Sequence, residues 1–393
     1  MLLRPGISWD TNLSCLKNNF MSLVLYRKYR PQRFGEIIGQ EHVVQTVTNA
    51  IAGNLISHAY LFAGPRGSGK TTIARLLAKA VNCRNRKEGE FEPCNKCSSC
   101  LETAEGRSLD LIEIDAASHR GIDEIRELRD GIKFSPVKEK YKVFILDEAH
   151  QLSKDAVNAL LKTLEEPPSH AIFVLATTEI HKVLPTIISR CQRFDFRKLT
   201  FPEIVGRLEI VSKKEKAKID KSALELIALN SGGAIRDAES LLDQALTFGG
   251  TLGTDKTLKA EDIKNLLGIA DTNLISQFVG MLCDKKTNEA INFLNETFER
   301  GFDPQEFTKS LIRYLRQAML VRINPGPMNP IIVGLTKEEQ EKLRLLAGKF
   351  QPGEIQYTLN LFMDAADKMR YSSIPQLPLE LAIVDITTKN MQN

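Results

Sequence analysis

Gly64-Pro65-Arg66-Gly67-Ser68-Gly69-Lys70-Thr71 constrains this 393-residue chain more than any other stretch. It fits the pattern G-x-x-x-x-G-K-[ST], and its flanks fit too. Ahead of it the apolar run Ala59-Tyr60-Leu61-Phe62-Ala63 reads as a buried strand. Behind it Ile73, Leu76, Leu77 and Ala80 recur at helical spacing. Glycines between a strand and a helix let successive N–H groups curl inward, and the helix start adds its positive dipole end. That arrangement cradles phosphates. Lys70 is expected to reach the β- and γ-phosphates and Thr71 to offer a hydroxyl to Mg²⁺. The expected nucleotide-contacting set is Gly64, Pro65, Arg66, Gly67, Ser68, Gly69, Lys70, Thr71 and Thr72.

The second strong signal is Tyr141 to Glu148. Val143-Phe144-Ile145-Leu146 predicts a buried strand ending in two carboxylates, at the sheet edge where α/β folds bind ligands. Asp147 is expected to hold Mg²⁺ and Glu148 to polarise the attacking water. A helix follows, capped by Ser153 and stopped by Pro167-Pro168. The apolar run Ala171 to Ala176 predicts another strand ending in Thr177-Thr178. A hydroxyl there would sit near the γ-phosphate or simply cap the strand. Arg190, after a short helical segment at 184–188, has no obvious local acidic partner. It reads either as a guanidinium offered to a neighbouring subunit's phosphate or as a surface ion pair. Arg236 could reach the phosphates from a separate lid, or pair with Glu239. The basic-aromatic run Tyr26 to Pro31 reads as a solvated segment or as a wall near the base or ribose.

Seven cysteines, an odd number with four of them clustered, do not look like a scattered disulfide framework. Cys83, Cys94, Cys97 and Cys100 form a C-x10-C-x2-C-x2-C array, whose overlapping pairs let thiolates converge on one tetrahedral ion. Four sulfurs and no histidine suit a closed structural Zn²⁺ site, in a segment with no other visible core.

Residues 109–115 read as a strand and 121–132 as a helix. Residues 200–247 look helical, with a break at Ser231-Gly232-Gly233. From 271 onward the periodicity is helical, through a loop at 324–327, to a last apolar helix at 377–386. Residues 1–20 lack periodicity, and Met21 is expected to be the true start. A net charge of +4 permits local nucleic-acid contact without arguing for it. No apolar run reaches the roughly 20 residues that span a bilayer. A cytoplasmic protein without membrane contact is expected.

Taken in order, these motifs resemble the gamma/tau subunits of bacterial DNA polymerase III, AAA+ ATPases of the sliding-clamp loader. The resemblance rests on the phosphate loop, the four-cysteine insert, Asp147-Glu148, Leu-Leu-Lys-Thr-Leu-Glu-Glu-Pro-Pro (160–168), Ala-Thr-Thr (176–178), Ser-Arg-Cys (189–191) and Gly-Gly-Ala-Ile-Arg-Asp-Ala (232–238). It runs from about Ser22 to Ile386. It implies an α/β P-loop AAA+ core at 22–199 with a zinc-binding insert at about 83–100, after an N-terminal extension at 1–21. A small helical lid at 200–269 and an all-helical collar at 270–393 complete the implied fold. It implies Walker A at Gly64 to Thr71, Walker B at Asp147 and Glu148, sensor 1 at Thr178 or else Thr177, a trans-acting arginine at Arg190 and sensor 2 at Arg236. The implied cofactors are ATP, Mg²⁺ and Zn²⁺. The implied partners are other loader subunits in a pentamer, the sliding clamp and primer-template DNA. The long tail of tau forms is expected to be absent from these 393 residues. Two rival readings are a helicase, since Asp147-Glu148-Ala149-His150 resembles the DEAH box, and a loader subunit that does not hydrolyse ATP.

Overall fold

The computed structural model describes residues 23–118, 131–132, 134–251, 257–267, 272–323, 337–351 and 353–388. The extension at 1–21, most of the helix expected at 121–132 and the loop at 324–327 lie outside them. The chain falls into two compact units, Met1–Thr257 and Leu258–Asn393.

The first unit opens with α1 (Leu25–Lys28), α2 (Glu41–Ala52), β1 (Ala59–Ala63), α3 (Lys70–Val81) and α4 (Ser98–Glu105). Then come β2 (Leu111–Asp115), β3 (Lys142–Asp147), α5 (Lys154–Glu165), β4 (Ala171–Thr177), α6 (Pro185–Ile188) and β5 (Gln192–Asp195). Three helices close it: α7 (Phe201–Lys214), α8 (Lys221–Asn230) and α9 (Ile235–Thr251). The five strands form one parallel sheet in the order β2-β3-β4-β1-β5. β1 and β4 are buried throughout and β3 in all but its last residue, as strands covered on both faces must be.

Two apolar layers cover the sheet. On one face Val43, Val47 and Ile51 of α2 and Ile73 and Leu77 of α3 pack on Tyr60, Phe62, Ile145 and Val174. On the other, Val157, Leu160 and Leu164 of α5 and Ile187 of α6 pack on Leu61, Phe144, Leu146 and Phe173. The helical spacing of these residues is what commits each helix to its face. Ser153 caps α5 as expected, its Oγ accepting from Ala156 N–H at 3.2 Å, and α5 ends before Pro167. The strand β5 was not expected. It is a four-residue edge strand in which only Phe194 is buried, too short for its alternation to show.

The strand order decides where the loops meet. β4 lies between β1 and β3, with Ala63 beside Thr177 and Leu146 beside Leu175. The glycine loop, the two acids and the two threonines therefore emerge from adjacent strands at one sheet edge.

The second unit comprises α10 (Ala260–Leu266), α11 (Thr272–Cys283), α12 (Thr287–Glu299), α13 (Pro304–Ile323), α14 (Lys337–Lys349), α15 (Glu354–Met369) and α16 (Leu377–Thr388). Phe278, Leu294, Phe307, Leu311, Leu315, Phe362 and Ile383 meet in one core, with the Phe278 and Phe307 rings edge-on at 5.4 Å. Among the described residues, no helix is long and apolar enough to cross a membrane.

Candidate nucleotide-binding site

Residues 64–69 turn through left-handed glycine backbone at Gly67 (φ 74°) and Gly69 (φ 100°) before α3 begins at Lys70. A Cβ on Gly67 would stand 2.9 Å from the Ala234 Cβ, so this glycine also lets the start of α9 approach the loop. Lys70 is 5% exposed, and its Nζ donates to the Gly64 and Pro65 carbonyls at 2.8 and 2.9 Å. Burial lowers its pKa, against the opposing pull of Glu148 and Asp147.

Thr71 Oγ1 donates to Asp147 Oδ2 at 2.9 Å, which brings together the two residues expected to hold Mg²⁺. Glu148 takes left-handed backbone (φ 50°, ψ 44°), an uncommon conformation for a residue with a side chain. Its Oε2 accepts from Thr178 N–H at 3.2 Å and from Thr178 Oγ1 at 2.8 Å. Thr177 points elsewhere: its Oγ1 lies 3.0 Å from His150 Nδ1. Of the two threonines left open by the sequence, Thr178 is therefore the one that touches the acid.

A cleft of about 470 Å³ joins Lys70, Thr71, Asp147 and Glu148, with Thr178 behind Glu148 and not among its lining residues. The loop from Arg66 to Thr72, Asp147 and Glu148 line it, with Tyr26, Arg30, Pro31, Ile37, Ile38, Leu199 and Arg236. Tyr26, Arg30 and Pro31 of the basic-aromatic run thus wall the cleft, whereas Lys28 pairs with Glu215. Arg236 lies over the Tyr26 ring at 4.7 Å to its centroid. Glu239, its suggested partner, instead accepts from Arg207 Nε at 2.9 Å in a buried pair, and Arg207 also reaches the Tyr29 carbonyl. Burial raises the Glu239 pKa, partly offset by Arg207. The sequence offered Glu239 only as a partner for Arg236, and Arg207 was not singled out from it.

Arg190 is not among the cleft-lining residues, and of its two readings the surface ion pair is the contact present. Its Nη2 pairs with Glu165 at the end of α5, while Nη1 donates to the Thr186 carbonyl at 2.8 Å. Glu165 is 25 residues upstream, beyond the range of a local search, and reaches Arg190 because α5 packs beside α6. Cys191 is a packed thiol, as expected, and burial pushes it up to about 12.

The Sγ atoms of Cys83, Cys94, Cys97 and Cys100 all lie within 4.8 Å of one another. Tetrahedral Zn–S bonds of about 2.3 Å need S···S edges of roughly 3.8 Å, so the spread suits one ion. Cys94 Sγ accepts from Lys96 N–H at 3.4 Å and Cys97 N–H at 3.3 Å. Burial raises the Cys94 thiol, but these donors outweigh it and bring it down to about 6. The donor set therefore fits a thiolate-bound metal. The segment is not without a core, contrary to expectation. α4 packs on α3, Cys100 is fully buried and Arg86 Nε donates to the Ala80 carbonyl at 3.0 Å.

Three family models match the chain. Residues 39–200 match "DNA polymerase III, delta subunit", 203–251 match "DNA polymerase III clamp loader subunit, ATPase lid domain", and 258–392 match "DNA polymerase III subunits gamma and tau domain III". DNA polymerase III subunit tau of Bacillus subtilis is 42% identical over 94% of this chain and 64% of its own length. The chain thus spans less than two thirds of that relative. DNA polymerase III subunit gamma of Buchnera aphidicola from Acyrthosiphon pisum is 34% identical over 92% of this chain and 98% of its own. Among solved structures, the Thermotoga maritima RuvB Holliday junction branch migration motor aligns at a TM-score of 0.46 and 19% identity, over 64% of this chain and 78% of that one. With near-complete coverage of a gamma subunit, the chain belongs to the gamma/tau subunit family of DNA polymerase III.

Proposed function

We propose that this chain is an ATP-hydrolysing subunit of the DNA polymerase III clamp loader, using ATP to open a sliding clamp and load it onto primer-template DNA. The observation that carries the reading is the convergence of Lys70, the Thr71–Asp147 contact and the Thr178–Glu148 contact on one cleft beside Arg236. The proposed organisation is a core at 22–199, a lid at 200–269 and a collar at 270–393. It would act in the cytoplasm, in a pentamer with related subunits, and count among the parts of a DNA polymerase by membership of that complex.

In this reading the loop N–H groups and Lys70 hold the β- and γ-phosphates, and Arg236 reaches them from α9. Thr71 and Asp147 hold Mg²⁺, which neutralises phosphate charge when bound. Glu148, oriented by Thr178, aligns and polarises water. The water oxygen bonds to the γ-phosphorus, the β–γ bridging bond breaks, and ADP and phosphate leave. Cys83, Cys94, Cys97 and Cys100 hold Zn²⁺ as a structural ion. Arg190 completes the neighbouring subunit's site. Its pair with Glu165 is half exposed and weak enough to exchange for a phosphate.

The test is ATP hydrolysis by the chain alone, then with clamp, companion subunits and primed DNA. Stimulation by clamp and primed DNA is expected, and Arg190→Ala should remove it with ATP binding retained. An arginine acting in this way is worth about 10³–10⁵ in rate. A rate indifferent to clamp and junction would sink the reading.

A further inference from the structure

The cysteine insert grips the middle of a segment whose two ends wall the cleft. Arg30 and Pro31 line the cleft, and so do Glu36, Ile37 and Ile38. Between them Gln32 to Gly35 is held by residues of the insert. The Glu92 carboxylate accepts from Phe34 N–H at 3.1 Å through Oε2 and from Gly35 N–H at 3.0 Å through Oε1. Asn95 Nδ2 donates to the Gln32 carbonyl at 3.1 Å. The Phe91 ring meets the buried Phe34 ring edge-on at 6.5 Å. From α3, the 3%-exposed Lys79 donates to Gln32 Oε1 at 2.7 Å.

The contacts of the insert come from residues beside Cys94 in the chain. Glu92 lies two residues before Cys94, and Asn95 directly follows it. Asn95 sits in left-handed backbone (φ 58°), at the turn whose next two N–H groups point at Cys94 Sγ. A carboxylate accepting from two successive backbone N–H groups is a strong, directional tie. The segment it ties has only a single 3₁₀ turn, Phe34–Glu36, of its own.

We propose that the cysteine insert braces the nucleotide cleft, with Glu92 as the positioning residue that passes the order of the insert to the Arg30–Ile38 wall. Fixing the four thiols fixes Glu92 and Asn95. Those fix Gln32 to Gly35, and the wall residues on either side are held in register with the phosphate loop. The inference rests on the reading of the cleft as a nucleotide site and of the cysteines as zinc ligands.

The experiment compares the full-length chain with Glu92→Gln, which keeps the side chain's size but turns an N–H₂ toward a backbone donor. Three quantities are measured: zinc content, the dissociation constant of a fluorescent ATP analogue, and hydrogen exchange of the segment containing Phe34 and Gly35. The variant should keep its zinc, exchange faster at 34–35 and bind the analogue about tenfold more weakly. Its kcat at saturating ATP should stay within about twofold, since ground state and transition state lose the same binding. A variant with faster exchange, full zinc and unchanged affinity would overturn the brace. Loss of zinc would overturn it too, because Glu92 would then serve the cysteines rather than the cleft. A wild-type chain that binds no nucleotide, or holds no zinc, would overturn the underlying reading together with the brace.

Discussion

Thr178 gives both its backbone N–H and its hydroxyl to one oxygen of Glu148, at 3.2 and 2.8 Å. Two donors on one carboxylate oxygen fix the plane of the group. The end of β4 thereby sets the aim of an acid at the end of β3.

Removing the hydroxyl while keeping shape should loosen that aim. Thr178→Val is expected to lower kcat for ATP hydrolysis by about tenfold or more, with KM little changed, because a misplaced catalytic group costs rate rather than binding. Steady-state kinetics on the assembled loader checks the split.

The buried Arg207–Glu239 pair joins α7 to α9 and, through the Tyr29 carbonyl, to the segment beside the cleft. Arg207→Met would strand the Glu239 carboxyl in the interior. A loss of about 3–5 kcal/mol is expected, read from urea denaturation of the first unit's transition.

Glu203 closes a capping box with Thr200 and pairs with Arg197 at 2.7 Å. The Arg197 guanidinium, then the Thr200 backbone donor, hold it at about 2, against an ordinary value of 4.5. A lowered carboxylate pKa means stability that is present above about 4.5 and lost as pH falls toward 2. The difference in urea midpoint between wild type and Glu203→Gln should be largest above pH 4.5 and shrink steadily toward pH 2. A gap that stays constant across that range would refute the assignment.

Cys100, a residue of α4, is fully buried where that helix packs on α3. Cys100→Ser should abolish stoichiometric zinc and lower the Tm, because binding energy at a closed thiolate site is folding energy. Chelation of the wild-type protein should lower its Tm in the same direction.

The elements built from local pattern were legible: the strand, glycine turn and helix around Lys70, the acid-tipped β3, the Ser153 cap and the cysteine array. Each is written within about two dozen consecutive residues at most, where spacing alone dictates the geometry. The pairings that complete the site were not. Arg236 meets Tyr26, Arg190 meets Glu165 and Glu92 meets the Phe34 and Gly35 amides only after the order β2-β3-β4-β1-β5 has been imposed. That order depends on which apolar faces find each other, which no short window contains. β5 escaped for a simpler reason: with one buried side chain, an edge strand carries almost no pattern.

The central place of β1 has a consequence for synthesis of the chain. Its neighbours β4 and β5 emerge from the ribosome roughly 110 to 130 residues later, at about 5–20 residues per second. For many seconds the nascent Ala59–Ala63 run has neither flanking strand, and the glycine loop hangs from an unanchored end. ATP therefore cannot template early folding of this domain. The run is exposed to mispairing until β4 arrives, which makes it a natural binding segment for a chaperone that receives apolar, extended nascent chain.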